Sequence, residues 1–119
     1  MAPIRVAQTA GFCFGVRRAV DMAEKLAQKH EMLYCYGEII HNTHEINRLA
    51  RRGVKTARAI DDIPDGAPVL IRAHGVPKTV YDAFAAKGCT IFDATCPFVS
   101  KIHKIVAAEY AKGRKIIIL

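Results

Sequence analysis

The feature that most constrains this chain is the alternation of short apolar runs with longer stretches of helical periodicity. The runs lie at residues 4–8, 32–36, 54–55, 68–72, 90–93 and 115–119. Strands that take turns with helices in this way build a parallel sheet with helices on its faces. The expected fold is therefore α/β, a three-layer sandwich with a mostly parallel sheet. The first helix should cover 14–29, burying Val16, Val20, Met22, Ala23 and Leu26 and carrying Lys25 and Lys29 near its C-terminus. A second should cover 43–52 and stop at Gly53, and a third 77–87 before Gly88. The last should start at Pro97, turn Val99, Ile102, Ile105 and Val106 inward, and end at Gly113. Residues 60–67, I-D-D-I-P-D-G-A, read as an exposed turn.

Half of the 119 residues are apolar (51%), enough for the core of one ordinary domain. The closing R-K-I-I-I-L is a buried-strand pattern with nothing after it to turn back over a sheet. This pattern predicts that the chain is the N-terminal piece of something longer. The first residues lack the apolar core of a signal peptide, and no run approaches the roughly 20 apolar residues that span a bilayer. A cytoplasmic protein without membrane contact is expected, and in that setting four cysteines are free thiols, ligands or nucleophiles rather than disulfides. The net charge of +7 is scattered over many basic residues with few aromatics between them. Such scatter is the pattern of solvated helix faces and suits a small anionic ligand better than nucleic acid.

All strand-to-helix loops of an open parallel sheet face one edge, where ligands bind. That rule gathers Cys13 after the first run, His41 in E-I-I-H-N, His74 in R-A-H-G-V-P and Cys96 in F-D-A-T-C-P. Cys35, inside L-Y-C-Y, and Cys89, at the opposite edge, are expected to be small buried hydrophobes. His30, His44 and His103 fall at or on helices among charged neighbours, where solvated or dipole-pairing roles fit. Cys13 and Cys96 each directly precede a helix, whose unpaired N–H groups and dipole stabilise a thiolate. The G-F-C-F-G stretch at 11–15 is neither a dinucleotide fingerprint nor a P-loop, and Ala19 stands where a C-x5-R phosphatase loop needs arginine. Thiolates favour zinc, copper(I) or iron-sulfur clusters, while the histidines can ligate metal or donate to phosphate oxygens.

Together, G-F-C-F-G-V at 11–16, I-H-N at 40–42, A-H-G-V at 73–76 and F-D-A-T-C-P at 92–97 closely resemble one family. They are similar, in order and over essentially the whole chain, to the N-terminal domain of LytB proteins. These are the 4-hydroxy-3-methylbut-2-enyl diphosphate reductases that end the methylerythritol phosphate route to isoprenoids. The resemblance implies a longer protein with three similar domains around a four-iron four-sulfur cluster, residues 1–119 forming the first domain. It implies that Cys13 and Cys96 are two of three thiolate ligands and that His41 and His74 contact the substrate diphosphate. The implied reaction is a two-electron, two-proton removal of the substrate hydroxyl to give isopentenyl and dimethylallyl diphosphates, with electrons from a ferredoxin or flavodoxin-type donor. The third cysteine and the proton-relaying glutamate would lie outside these residues, so the chain alone should be inactive. The alternative is a standalone metal-binding or redox-sensing module using Cys13 and Cys96, which requires metal bound by the 119 residues alone.

Overall fold

The computed structural model describes residues 2–119. In chain order its elements are α1 (Phe14–Ala27), β1 (Leu33–Tyr36), α2 (Thr43–Ala50), β2 (Val54–Ala57), a 3-10 turn (Ile60–Asp62), β3 (Pro68–Ile71), α3 (Lys78–Ala86), β4 (Thr90–Asp93) and α4 (Pro97–Ala111). The four strands are parallel, in the order β2-β1-β3-β4. β3 is buried almost throughout, as a central strand covered on both faces must be, whereas β1 alternates buried and half-buried positions. From β1 the chain moves outward to β2, then crosses back over β1 to start β3. The winding direction reverses between β1 and β3, and a crevice opens there at the C-terminal ends of the strands.

Each sheet face has its own core. On one, Ala19, Ala23 and Leu26 of α1 and Leu49 of α2 pack on Leu33, Cys35 and Leu70. On the other, Phe84 of α3 and Ile63 pack on Val69 and Ile71. The three-layer α/β expectation is thus met. Arg48 of α2 joins Glu45 on its own helix to Glu24 on α1, and Arg52 reaches Glu24 as well, so the two helices are pinned on one face. The hydrogen bond from Arg48 holds the Glu45 carboxyl below its usual range despite its burial.

Three expectations fail, for related reasons. Residues 4–8 and 115–119 form no strand. Ile4 is 94% and Ile117 81% exposed, and an apolar run without a ladder neighbour has nothing to hold it in a sheet. α4 forms, starting at Pro97 as expected, yet it buries none of its residues. Both sheet faces are already covered, so Phe98, Ile102 and Ile105 face solvent. An open groove of about 770 Å³ separates this helix from the loop carrying His74. The radius of gyration of 17.0 Å exceeds the roughly 13.5 Å of a compact chain this long, consistent with an α4 that buries nothing and with extended chain ends. The 60–67 turn is exposed as expected, and it contains the 3-10 turn and is anchored by the fully buried Ile63. No helix among the described residues is long and apolar enough to cross a membrane.

Candidate functional site

Loops at the C-terminal ends of β1, β3 and β4 bring three expected residues to one edge. His41 follows β1 and His74 follows β3, so the two stand on opposite sides of the crevice where the winding reverses. Their rings stack across it, with centroids 6.1 Å apart and planes 24° apart. His41 Nδ1 lies 2.9 Å from Glu38 Oε2, a contact that orients the ring and leaves Nε2 free. Asn42 caps α2 by accepting from the Glu45 amide at 3.0 Å, which fixes the backbone next to His41. Both histidines are exposed and able to meet a ligand.

Cys13 and Cys96 sit at the N-caps of α1 and α4, and neither side chain caps its helix, so both thiols remain available. Cys13 arrives from a turn at residues 8–9, closed by the Ala10 amide donating to the Ala7 carbonyl at 3.0 Å, rather than from a strand. Gly15 brings the two helix ends together: a Cβ there would stand 2.7 Å from Cys96 Sγ and 2.9 Å from Cys96 Cβ. Only a residue without a side chain permits that approach. Phe14 and Phe98 meet edge to face at 6.0 Å, and the Arg18 guanidinium donates to the Thr95 carbonyl at 3.2 Å. Two helix N-termini with unpaired N–H groups therefore converge around two thiols, an environment that favours negative charge. Cys13 is exposed, whereas Cys96 is only 8% exposed.

The turn that delivers Cys96 is fixed by Asp93. Its carboxylate accepts from the Thr95 amide and hydroxyl and from the Tyr81 hydroxyl at 2.8 Å. Burial alone would raise the Asp93 carboxyl, but these hydrogen bonds and Arg18 together hold it below its usual range. A depressed carboxyl stabilises the fold above the unfolded-state value near pH 4, and that contribution fades as pH falls through the lower folded-state value. Asp93→Ala should therefore lower unfolding stability at pH 7 by about 1–2 kcal/mol in urea titrations. The gap to the unsubstituted protein should shrink as pH falls below the usual carboxylate range.

The remaining candidates stand apart. Cys35 is buried, and its thiol is pushed up to about 12 by burial against the opposing pull of Arg72, so it stays protonated. Cys89 is half-buried rather than buried; its Sγ lies 3.6 Å from the Pro64 carbonyl. His30 packs on Phe92, and His44 is exposed on α2. His103 is exposed too, but its Cε1 would lie 3.1 Å from a Cβ on Gly75, beside His74. Sequence reasoning includes Gly15, Asp93 and Arg72 inside the quoted motifs G-F-C-F-G-V, F-D-A-T-C-P and R-A-H-G-V-P but gives none of them a role of its own.

Among the described residues no group of three or more His, Cys, Asp or Glu is arranged to hold a metal ion. Two soft donors at convergent helix termini fit part of a cluster site; the rest must come from other residues.

The sequence model of the family described as "LytB protein" matches residues 4–119. The chain is 42% identical over 117 residues to the 4-hydroxy-3-methylbut-2-enyl diphosphate reductase of Clostridioides difficile, covering 98% of this chain and 42% of that protein. To the reductase of the same name from Aquifex aeolicus it is 39% identical, covering 100% and 41%. Among solved structures it superposes on "(E)-4-Hydroxy-3-methyl-but-2-enyl Diphosphate Reductase, the Terminal Enzyme of the Non-Mevalonate Pathway" with a TM-score of 0.79 at 40% identity, covering 95% of this chain and 40% of that one. The Plasmodium falciparum reductase gives 0.84 at 29% identity, covering 88% and 33%. The chain thus spans about two fifths of the length of the curated relatives it matches.

Proposed function

The chain belongs to the LytB protein family, and on that premise we propose that it is the N-terminal α/β domain of a 4-hydroxy-3-methylbut-2-enyl diphosphate reductase. The observation that carries this reading is the convergence of Cys13 and Cys96 at two helix N-termini, next to the His41–His74 pair at the reversal crevice. Cys13 and Cys96 are two thiolate ligands of a four-iron four-sulfur cluster, with the third supplied by residues outside this chain. Bound there, such a cluster would supply the electron-transfer chemistry that a reductive dehydroxylation needs, with a ferredoxin or flavodoxin-type protein as the electron donor.

The residues of this chain bind and orient. His41, held by Glu38, and His74 donate to diphosphate oxygens, and the two helix N-termini add positive potential beside them. Cys96 is nearly buried between α1 and the Ala73 carbonyl, which accepts from its amide at 2.9 Å, so one ligand would be held in a fixed position, while Cys13 is exposed. α4 and residues 115–119 lead into the next unit, whose packing covers Phe98, Ile102 and Ile105. The whole enzyme is cytoplasmic, and the 119-residue chain alone is inactive.

Anaerobically purified full-length protein should reduce 4-hydroxy-3-methylbut-2-enyl diphosphate to isopentenyl and dimethylallyl diphosphates, and absence of turnover would reject the reading. His74→Ala should raise KM roughly 10- to 100-fold, the worth of one charge-assisted hydrogen bond, while the brown absorption persists. Loss of that absorption would instead make His74 a support of the cluster.

A further inference from the structure

Arg72 belongs to neither the thiol pair nor the histidine pair, yet it stands at the crevice between them. It is the first residue past β3, as Gly37 is the first past β1, and these strands flank the reversal. Its side chain lies across the neighbouring strand end: a Cβ on Gly37 would stand 3.0 Å from Nη1, 3.3 Å from Cζ and 3.4 Å from Cδ. Gly37 has φ +76°, so both its backbone and its missing side chain suit the seat of a guanidinium.

The guanidinium is also uncompensated. Among the described residues no carboxylate lies within salt-bridge distance of Arg72; Arg5, Arg17, Arg51 and Arg58 also lack one but are exposed, whereas Arg72 is half-buried. Its Nε is buried without a hydrogen-bond partner. Retaining an unpaired, half-buried guanidinium is costly and calls for an explanation. The same two loops carry His41 and His74, and a guanidinium between them adds a permanent cation with a fixed fork of donors.

We propose that Arg72 is a specificity-determining residue of the anion crevice, a permanent cation that favours a diphosphate over a monophosphate. The inference rests on the reductase reading for the identity of the anion. A fixed cation attracts an anion in proportion to the anion's charge, so its removal penalises the more highly charged ligand more. A residue that only held the loops in place would weaken both ligands alike.

The experiment uses the full-length protein with inorganic pyrophosphate and inorganic phosphate as competitive inhibitors of turnover. Arg72→Met keeps much of the side-chain volume without the charge, and Arg72→Lys keeps the charge. Arg72→Met should weaken pyrophosphate inhibition about 10- to 100-fold and phosphate inhibition several-fold less. It should raise KM with little change in kcat, and Arg72→Lys should recover most of the loss. An unchanged ratio of pyrophosphate to phosphate inhibition in Arg72→Met, or a lysine variant no better than methionine, would overturn the inference and leave the reductase reading intact. No turnover in the unsubstituted protein would remove both.

Discussion

Cys96→Ser in the full-length protein should eliminate the brown absorption and lower turnover by more than the roughly 10- to 100-fold usual when an outer-shell partner of a metal is lost. Serine is nearly the size of cysteine, and Cys96 is buried against the first turn of α1, so the substitution fits the same space. What it removes is the chemistry. A hydroxyl does not ionise near neutral pH, even beside a helix N-terminus, and its hard oxygen is a poor ligand for iron in a sulfide cluster. Cys13→Ser should do the same from the solvent side, while Cys89→Ser, half-buried beside Pro64, should leave absorption and rate unchanged. A Cys96→Ser protein with normal colour and normal rate would remove Cys96 from the ligand set.

Gly15→Ala carries the second large effect, against what helix propensity suggests. Alanine in a helix is favoured over glycine by about 1 kcal/mol, so an isolated α1 would gain. In the folded chain the new methyl would stand 2.7 Å from Cys96 Sγ and 2.9 Å from its Cβ, distances that real Cβ atoms do not tolerate. Either Cys96 leaves its position or α1 and α4 separate, breaking the Phe14–Phe98 contact and the Arg18 hydrogen bond to Thr95. The expected outcome is a net loss of about 1–3 kcal/mol in unfolding experiments. Cluster content should fall with it, measured as iron per chain. A variant more stable than its parent with full iron would show that this close approach does not matter.

The layers of the fold were legible because strands such as Pro68–Ile71 are apolar enough to require cover on both faces. Helix ends were legible because Gly53, Gly88 and Gly113 punctuate them. Position along the chain also brought His41, His74 and Cys96 to one edge, since strand ends of a parallel sheet share it, whereas Cys13 follows no strand and comes near through the approach of α1 to Cys96 at Gly15. Coverage was not legible. The stripe of Ile102 and Ile105 announces an apolar face on α4, but periodicity does not say whether a neighbour exists to meet it, and here both sheet faces are already taken. The same blindness made residues 4–8 look like a strand. Strand order was hidden as well, and with it the reversal between β1 and β3 that makes Arg72 and Gly37 neighbours.

If Cys13 and Cys96 hold a cluster only together with donors from beyond this chain, the cluster is absent when those donors are. Anaerobic iron and sulfide analysis with electron paramagnetic resonance, run side by side on the full-length protein and on the 119-residue chain, should find about four irons per chain in the former and almost none in the latter. A stoichiometric metal in the 119-residue chain, or an iron-free full-length protein, would rule this out.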